Sequence, residues 1–185
     1  MHRENDREYA LFVCNLAEEL FGIRPSVYYP RTERHQHEVS LVVSRTDLIE
    51  FLEEKGLARG NKVVRQAGVP NWIKNDIGFS KATLRGLIDT DGGIYFHKHT
   101  VCGNKYFNIG LTFTNSSIPL LIFVEKILLE LDFSPKMSHR RKDVFLYREA
   151  EVIRYIKMIG FHNPHHLRRV EHFLAKKKGG VRRIG

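Results

Sequence analysis

Apolar residues at helical spacing open the chain: Ala10, Val13, Ala17, Leu20 and Phe21 fall on one stripe and predict a helix. Leu48, Ile49 and Leu52, set among Asp47, Glu50, Glu53 and Glu54, predict a second helix that stops at Gly56. Leu41 to Ser44 lies between them and reads as a strand. These signals return later in the chain. Leu20-Phe21-Gly22-Ile23-Arg24-Pro25 recurs as Glu130-Leu131-Asp132-Phe133-Ser134-Pro135. After a shorter connection, Phe145 to Arg148 matches Leu41 to Ser44, and Val152 to Gly160 matches Leu48 to Gly56. Each copy is therefore expected to run helix, strand, strand, helix, with both closing helices docked on one sheet face and their charged sides outward.

The second copy has a longer front. A helix is predicted near Lys81 to Asp91 with Ser80 as its N-cap, followed by a hairpin of Ile94 to His99 and Tyr106 to Thr114 turning at Cys102-Gly103-Asn104. Phe107, Ile109, Leu111 and Phe113 alternate with Tyr106, Asn108, Gly110, Thr112 and Thr114, the period of a half-buried strand. The fold class expected is α/β in the α+β sense: an αββαββα unit with an antiparallel sheet, preceded by a copy lacking its opening αββ. Residues 1–68 form the trailing half of a first repeat, 69–78 a connector anchored in the core by Trp72, 79–178 a complete second repeat and 179–185 a basic tail.

The 185 residues are 42% hydrophobic and 28% charged, enough to bury a core and unlike a disordered chain. Thirty Lys and Arg against 21 Asp and Glu leave a formal charge of +9, which favours a polyanionic partner. Two cysteines, Cys14 and Cys102, make neither a disulfide framework nor a zinc ribbon, and the histidines lack the spacing of a structural zinc site. A reducing, cytoplasmic setting is expected. The longest uncharged stretch, Tyr106 to Val124, is broken by Asn108, Asn115, Ser116, Ser117 and Pro119, so no membrane span is expected.

Leu84-Arg85-Gly86-Leu87-Ile88-Asp89-Thr90-Asp91-Gly92 resembles the LAGLIDADG motif of homing endonucleases, differing only by Arg85 and Thr90 in place of alanines. Gly86 lacks a Cβ and would let a second helix approach, with Leu84 and Leu87 as apolar contacts at that interface. Gly92 reads as a helix stop, leaving Asp91 among free carbonyls where a cation is favoured. Asp89 lies about 200° round the helix and cannot share an ion with it. The resemblance covers nearly the whole chain and is to the two-motif, archaeal and intein-associated type, without the first motif. It implies sequence-specific, Mg²⁺- or Mn²⁺-dependent hydrolysis of double-stranded DNA, as in intron or intein homing. Asp91 would be the metal-bound catalytic acid and Lys62 the active-site lysine; in the internal alignment the mate of Lys62 is His166. The missing acid would come from a second copy in a homodimer or from a missing first repeat. The other reading is a nucleic-acid-binding relative without cutting activity, an intron-RNA maturase or a transcriptional regulator.

Tyr95, His97, His99, Tyr106, Asn108, Thr112 and Thr114 are expected to share the hairpin's exposed face, as polar and aromatic strands that fill a major groove. The loop of His139, Arg140, Arg141 and Lys142, with Arg31, Arg34, Lys98 and Lys105, would supply phosphate contacts.

Overall fold

The computed structural model describes residues 1–30, 37–57, 59–61 and 63–180. A first group of elements comprises α1 (Arg7–Phe21), β1 (Ser26–Tyr28), β2 (Ser40–Val42) and α2 (Thr46–Glu54). After short α3 (Asn71–Lys74) come α4 (Ile77–Asp91), β3 (Gly92–Val101), β4 (Asn104–Thr114), α5 (Ile118–Glu130), β5 (Lys136–Met137), β6 (Asp143–Leu146), α6 (Glu149–Met158) and α7 (Pro164–Gly180). The chain is a mixed α+β protein with two antiparallel sheets, one of β1 and β2, the other in the order β3-β4-β6-β5. The order α1-β1-β2-α2 returns as α5-β5-β6-α6. Among the described residues no helix is long and apolar enough to cross a membrane.

The alternation along β4 sets the layers. Ile109, Leu111 and Phe113 are essentially inaccessible, as are Val144 and Leu146 of the neighbouring β6. They meet Leu84 and Ile88 of α4, Leu121, Val124 and Leu128 of α5, Val152 and Tyr155 of α6 and Phe173 of α7 in one apolar cluster. Helices thus cover one face of the four-stranded sheet.

Helix α4 begins four residues earlier than the sequence pattern indicates. Asp76, in extended backbone, is the cap and accepts from the N–H of Phe79 at 2.8 Å. Ser80 is buried inside the helix and donates its hydroxyl to the Ile73 carbonyl at 2.9 Å. Trp72 is not a core anchor: it is 49% exposed, its indole N–H donates to the Lys55 carbonyl and its ring meets Phe79 edge-on.

The two matched groups differ in burial although their apolar positions correspond. Leu121, Leu146 and Tyr155 are all 0% exposed, whereas their counterparts Leu11, Val42 and Phe51 are 49%, 42% and 44% exposed. Helix α2 buries none of its residues, against the expectation that both closing helices dock alike. The cause is what lies beside the strand. Strand β6 has β4 along its free side, with Leu146 opposite Leu111, whereas β2 pairs with β1 alone among the described strands. The first group is held elsewhere: Val39 donates its N–H to the Met1 carbonyl, Asn163 donates to Asp6, and Arg168 pairs with Glu8 at 2.7 Å.

Truncating Leu146 to alanine should therefore lower the urea-unfolding free energy by about 3 kcal/mol, and Val42→Ala by less than about 1 kcal/mol. Equal losses would mean that Val42 is covered in solution.

Candidate active site and the open sheet face

Asp91 is the last residue of α4. The following Gly92 is extended, with φ −103° and ψ −175°, so the helix does not stop through a left-handed glycine. Space is the reason for glycine here: a Cβ would lie 2.6 Å from the Ile88 carbonyl oxygen and 2.9 Å from that of Thr112. The start of β3 is thereby pressed against β4, and Asp91 emerges at the base of the sheet.

Its carboxylate accepts from the side-chain amide of Asn115 at 2.9 Å. Asn115 is itself fixed, since its Oδ1 accepts from the N–H of Ser117 and its own N–H donates to the Lys142 carbonyl. The same turn is tied to the segment that carries Lys62. The Ser117 hydroxyl donates to the Ala67 carbonyl at 2.6 Å, the N–H of Ile118 to Gln66 Oε1 at 2.9 Å, and the Gln66 amide to the carbonyls of Val63 and Ser116. Lys62 lies outside the described residues, but Asn61 before it accepts from the N–H groups of Val63 and Val64. Asn115, Ser117 and Gln66 were not singled out by sequence. The available signal was Asn115-Ser116-Ser117 closing an alternating strand ahead of Pro119, a pattern of turn and cap residues.

Asp89 points to the opposite side. It is 2% exposed and accepts the N–H groups of His162 and Asn163 at 2.9 and 3.2 Å, just before α7 begins. Burial pushes its carboxyl above the usual range, opposed by those two donors and by the nearby His162 and Arg85. His166, aligned with Lys62 in the internal repeat, is a core residue with its Nε2 3.2 Å from the Ile88 carbonyl. Burial holds its imidazole below the ordinary 6.5. Position 166 thus lies in the core and not on the open sheet face.

The two departures from the motif have local explanations. Arg85 donates from Nε to the Ile159 carbonyl at 2.7 Å, tying α4 to the end of α6. Thr90 turns its hydroxyl back onto the carbonyls of Gly86 and Leu87. Leu84, expected at a helix interface, is 0% exposed in its own chain's core and cannot meet a second helix. Gly86 remains at the surface, where an added Cβ would meet nothing within 4 Å, and Leu87 is partly buried beside the core.

On the hairpin, Gly93, Tyr95, His97 and His99 stand opposite Thr112, Gly110, Asn108 and Tyr106. Because Ile109, Leu111 and Phe113 turn to the helices, these residues and Thr114 share the other face. Tyr95 and His97 have centroids 5.9 Å apart, His97 and His99 stack at 5.6 Å, and His99 and Tyr106 at 5.2 Å. The Tyr95 ring occupies the place that a side chain at Gly110 would fill. From Gly93 to His99 the track spans roughly 20 Å at about 3.3 Å per residue.

Lys105 sits opposite Thr100 at a register position that alternates with this face, as does Lys98; the Lys105 side chain lies outside the described residues. Arg31 and Arg34 also lie outside them. Arg140, Arg141 and Lys142 are exposed in the β5–β6 turn. Through the bond from Asn115 to the Lys142 carbonyl, that basic turn stands at the Asp91 end of the sheet and away from the hairpin tip. Among the described residues no group of three or more His, Cys, Asp or Glu is placed to hold a metal ion.

No family model matches the sequence, and no curated protein matches it. Among solved structures the chain is similar to the group I intron-encoded homing endonuclease I-CeuI complexed with DNA. The identity is 10% over 70% of this chain and 67% of that one, with a TM-score of 0.39. A likeness of this degree carries no functional argument.

Asp89→Ala strands two backbone donors and should cost about 2–4 kcal/mol in urea unfolding, whereas Asp91→Asn should cost under about 1 kcal/mol. His166 binds protons less readily folded than unfolded, so its contribution to stability is complete above pH 6.5 and declines as pH falls below it. Unfolding midpoints should drop from pH 7 to 5.5 in the wild type and less in His166→Gln; parallel curves would contradict this.

Proposed function

We propose that the chain is a sequence-specific, divalent-metal-dependent endonuclease of double-stranded DNA, of the LAGLIDADG homing type. What carries this reading is the position of Asp91, which leaves the carbonyl end of α4 at the foot of a polar, ring-lined sheet face and is held there by Asn115.

Duplex laid along the open face would meet hydroxyl, amide and ring groups along its groove and the Arg140-Arg141-Lys142 turn at its backbone near Asp91. Lys62, on a segment fastened to the same turn as Asn115, would neutralise charge on the scissile phosphate. Mg²⁺ takes one or two carboxylates together with waters and phosphate oxygens. One carboxylate at the negative end of a helix fits half of such a site. When bound, the ion would supply charge neutralisation and an acidified water for phosphodiester hydrolysis. Asn115 fixes the orientation of the Asp91 carboxylate. The second acid would come from another copy of the chain, docked where Gly86 and Leu87 leave the surface of α4 open.

A binding-only reading, a maturase or a regulator, is favoured by the withdrawal of His166 into the core.

Incubation with a randomised duplex library and Mg²⁺ or Mn²⁺ should yield cut products that disappear in Asp91→Asn and Lys62→Met, while both variants still bind duplex. Binding should weaken roughly a thousandfold between 50 and 200 mM salt if about six phosphates are neutralised. Binding without cleavage at every metal concentration would establish the binding-only reading. In sedimentation the complex should exceed the mass of the duplex by twice 21.6 kDa; a single copy on each cut site would exclude the shared centre.

A further inference from the structure

The helix that follows the Asp91-holding turn is capped by another part of the chain. Helix α5 begins at Ile118 after Ser117, yet the Ser117 hydroxyl makes no capping bond and is directed to the Ala67 carbonyl. The cap comes from a residue 52 positions away. Gln66 Oε1 accepts the N–H of Ile118 at 2.9 Å, one of the first-turn donors that a helix leaves without an internal partner. Its Nε2 donates to the Ser116 carbonyl at 3.2 Å and to the Val63 carbonyl at 2.7 Å. The residues after Gln66 press on the same turn: Ser117 is 0% exposed, and a Cβ at Gly68 would lie 3.2 Å from that of Pro119.

Gln66 holds this place with φ 47°, a left-handed backbone that residues bearing a side chain seldom adopt. Glycine would sit there with less strain. What glutamine adds over glycine is the amide, which meets three partners on two segments. Strain of this kind collects at functional sites.

We propose that Gln66 is a positioning residue for Asp91. By capping α5 from outside it fixes the turn from Asn115 to Ile118, and with it the amide that Asn115 presents to the Asp91 carboxylate. The inference rests on the nuclease reading given above and adds to it a residue that acts on the acid through others. The route is short. Gln66 holds the Ser116 carbonyl and the Ile118 N–H, the Ser117 N–H between them donates to Asn115 Oδ1 at 2.8 Å, and Asn115 Nδ2 donates to Asp91 at 2.9 Å. Asn115 is also held at its own N–H by the Lys142 carbonyl, but that bond lies on the backbone and leaves the carboxamide to be set by Ser117. Gln66 itself is exposed, so its removal acts on the geometry of the turn more than on global stability.

The test uses the full chain with Gln66→Gly, which accepts the left-handed backbone, and Gln66→Met, which keeps a long side chain without its bonds. Native far-ultraviolet spectra in both exclude unfolding as the cause of any change. One measurement is independent of cutting: deuterium exchange at the Ser117 N–H, whose partner is Asn115 and not Gln66. It should quicken at least about tenfold in both variants as the turn opens locally. The other is the single-turnover cleavage rate of the selected duplex at saturating protein and Mg²⁺ or Mn²⁺. It should fall about ten- to a hundredfold, while duplex affinity stays within about twofold. Asn115→Ala should slow cutting similarly, and adding Gln66→Gly to it should cause no further loss, since both act along one route. Unchanged Ser117 exchange, a wild-type cleavage rate in either Gln66 variant, or losses that multiply in the double variant would each overturn the proposal while leaving cutting by the wild type intact. A wild type that binds duplex and never cuts would instead remove the nuclease reading, and the role of Gln66 with it.

Discussion

The end of α4 sends two carboxylates to opposite sides of one helix, and most of the molecule is arranged around that divergence. The helical period requires it, since residues two apart cannot share a face. Asp89 goes inward and accepts the two backbone N–H groups at the entry to α7. Asp91 goes to the foot of the sheet and is held by an amide from the turn after β4. One acid fastens the last helix to the motif helix, and the other is kept in a polar setting at the edge of the core. A buried carboxylate is tolerable only because donors meet it, and here the donors belong to the element it positions.

The contrast between the two matched groups shows how little apolar character alone decides. Val42 and Leu146, or Phe51 and Tyr155, hold equivalent places in the repeat and are similarly hydrophobic, yet one of each pair is largely exposed and the other is not. Burial of a β6 residue needs a strand beside it and a helix above it, and α4, β3 and β4 provide both. The hydrophobic gain scales with the area removed from water, so the first group draws little of its stability from such positions. It relies on Tyr9, Ala10, Cys14 and Val39, and on the polar ties of its first residues.

Much of this was legible in the residues. The alternation from Tyr106 to Thr114 located a half-buried strand and both of its faces, and the recurrence of the Leu20 to Pro25 pattern anticipated the repeated element order. The opposed directions of Asp89 and Asp91 followed from helix geometry. The failures share a cause, which is that cap, anchor and interface roles depend on what another segment brings. Ser80 has the side chain of an N-cap, but Asp76 lies where the extended backbone ends and takes the role. Leu84 has the spacing of an interface residue, but its side of α4 faces β4 and α5. Trp72 had the bulk of a core anchor, and nothing in its local sequence reveals that its partners are a carbonyl and a phenylalanine at the surface. Asn115 was overlooked because a turn asparagine gains its meaning only when Asp91 is found across from it.

The two substitutions in the motif bear on how α4 could receive a second helix. An alanine at each position would leave a smooth, small-residue surface. Arg85 instead reaches to the end of α6 and to His162, engaging Nε and one terminal nitrogen within the chain. Thr90 folds its hydroxyl onto the carbonyls of Gly86 and Leu87. Both side chains are thereby tied within the chain, and the Thr90 hydroxyl is already met when the Gly86 surface is covered. The approach of a second backbone at Gly86, which the proposed pairing requires, then meets the side chains of Leu87 and Thr90 and open space at Gly86 itself. That is a steric condition which a partner helix with a small residue at the facing position satisfies and one with a bulky residue does not.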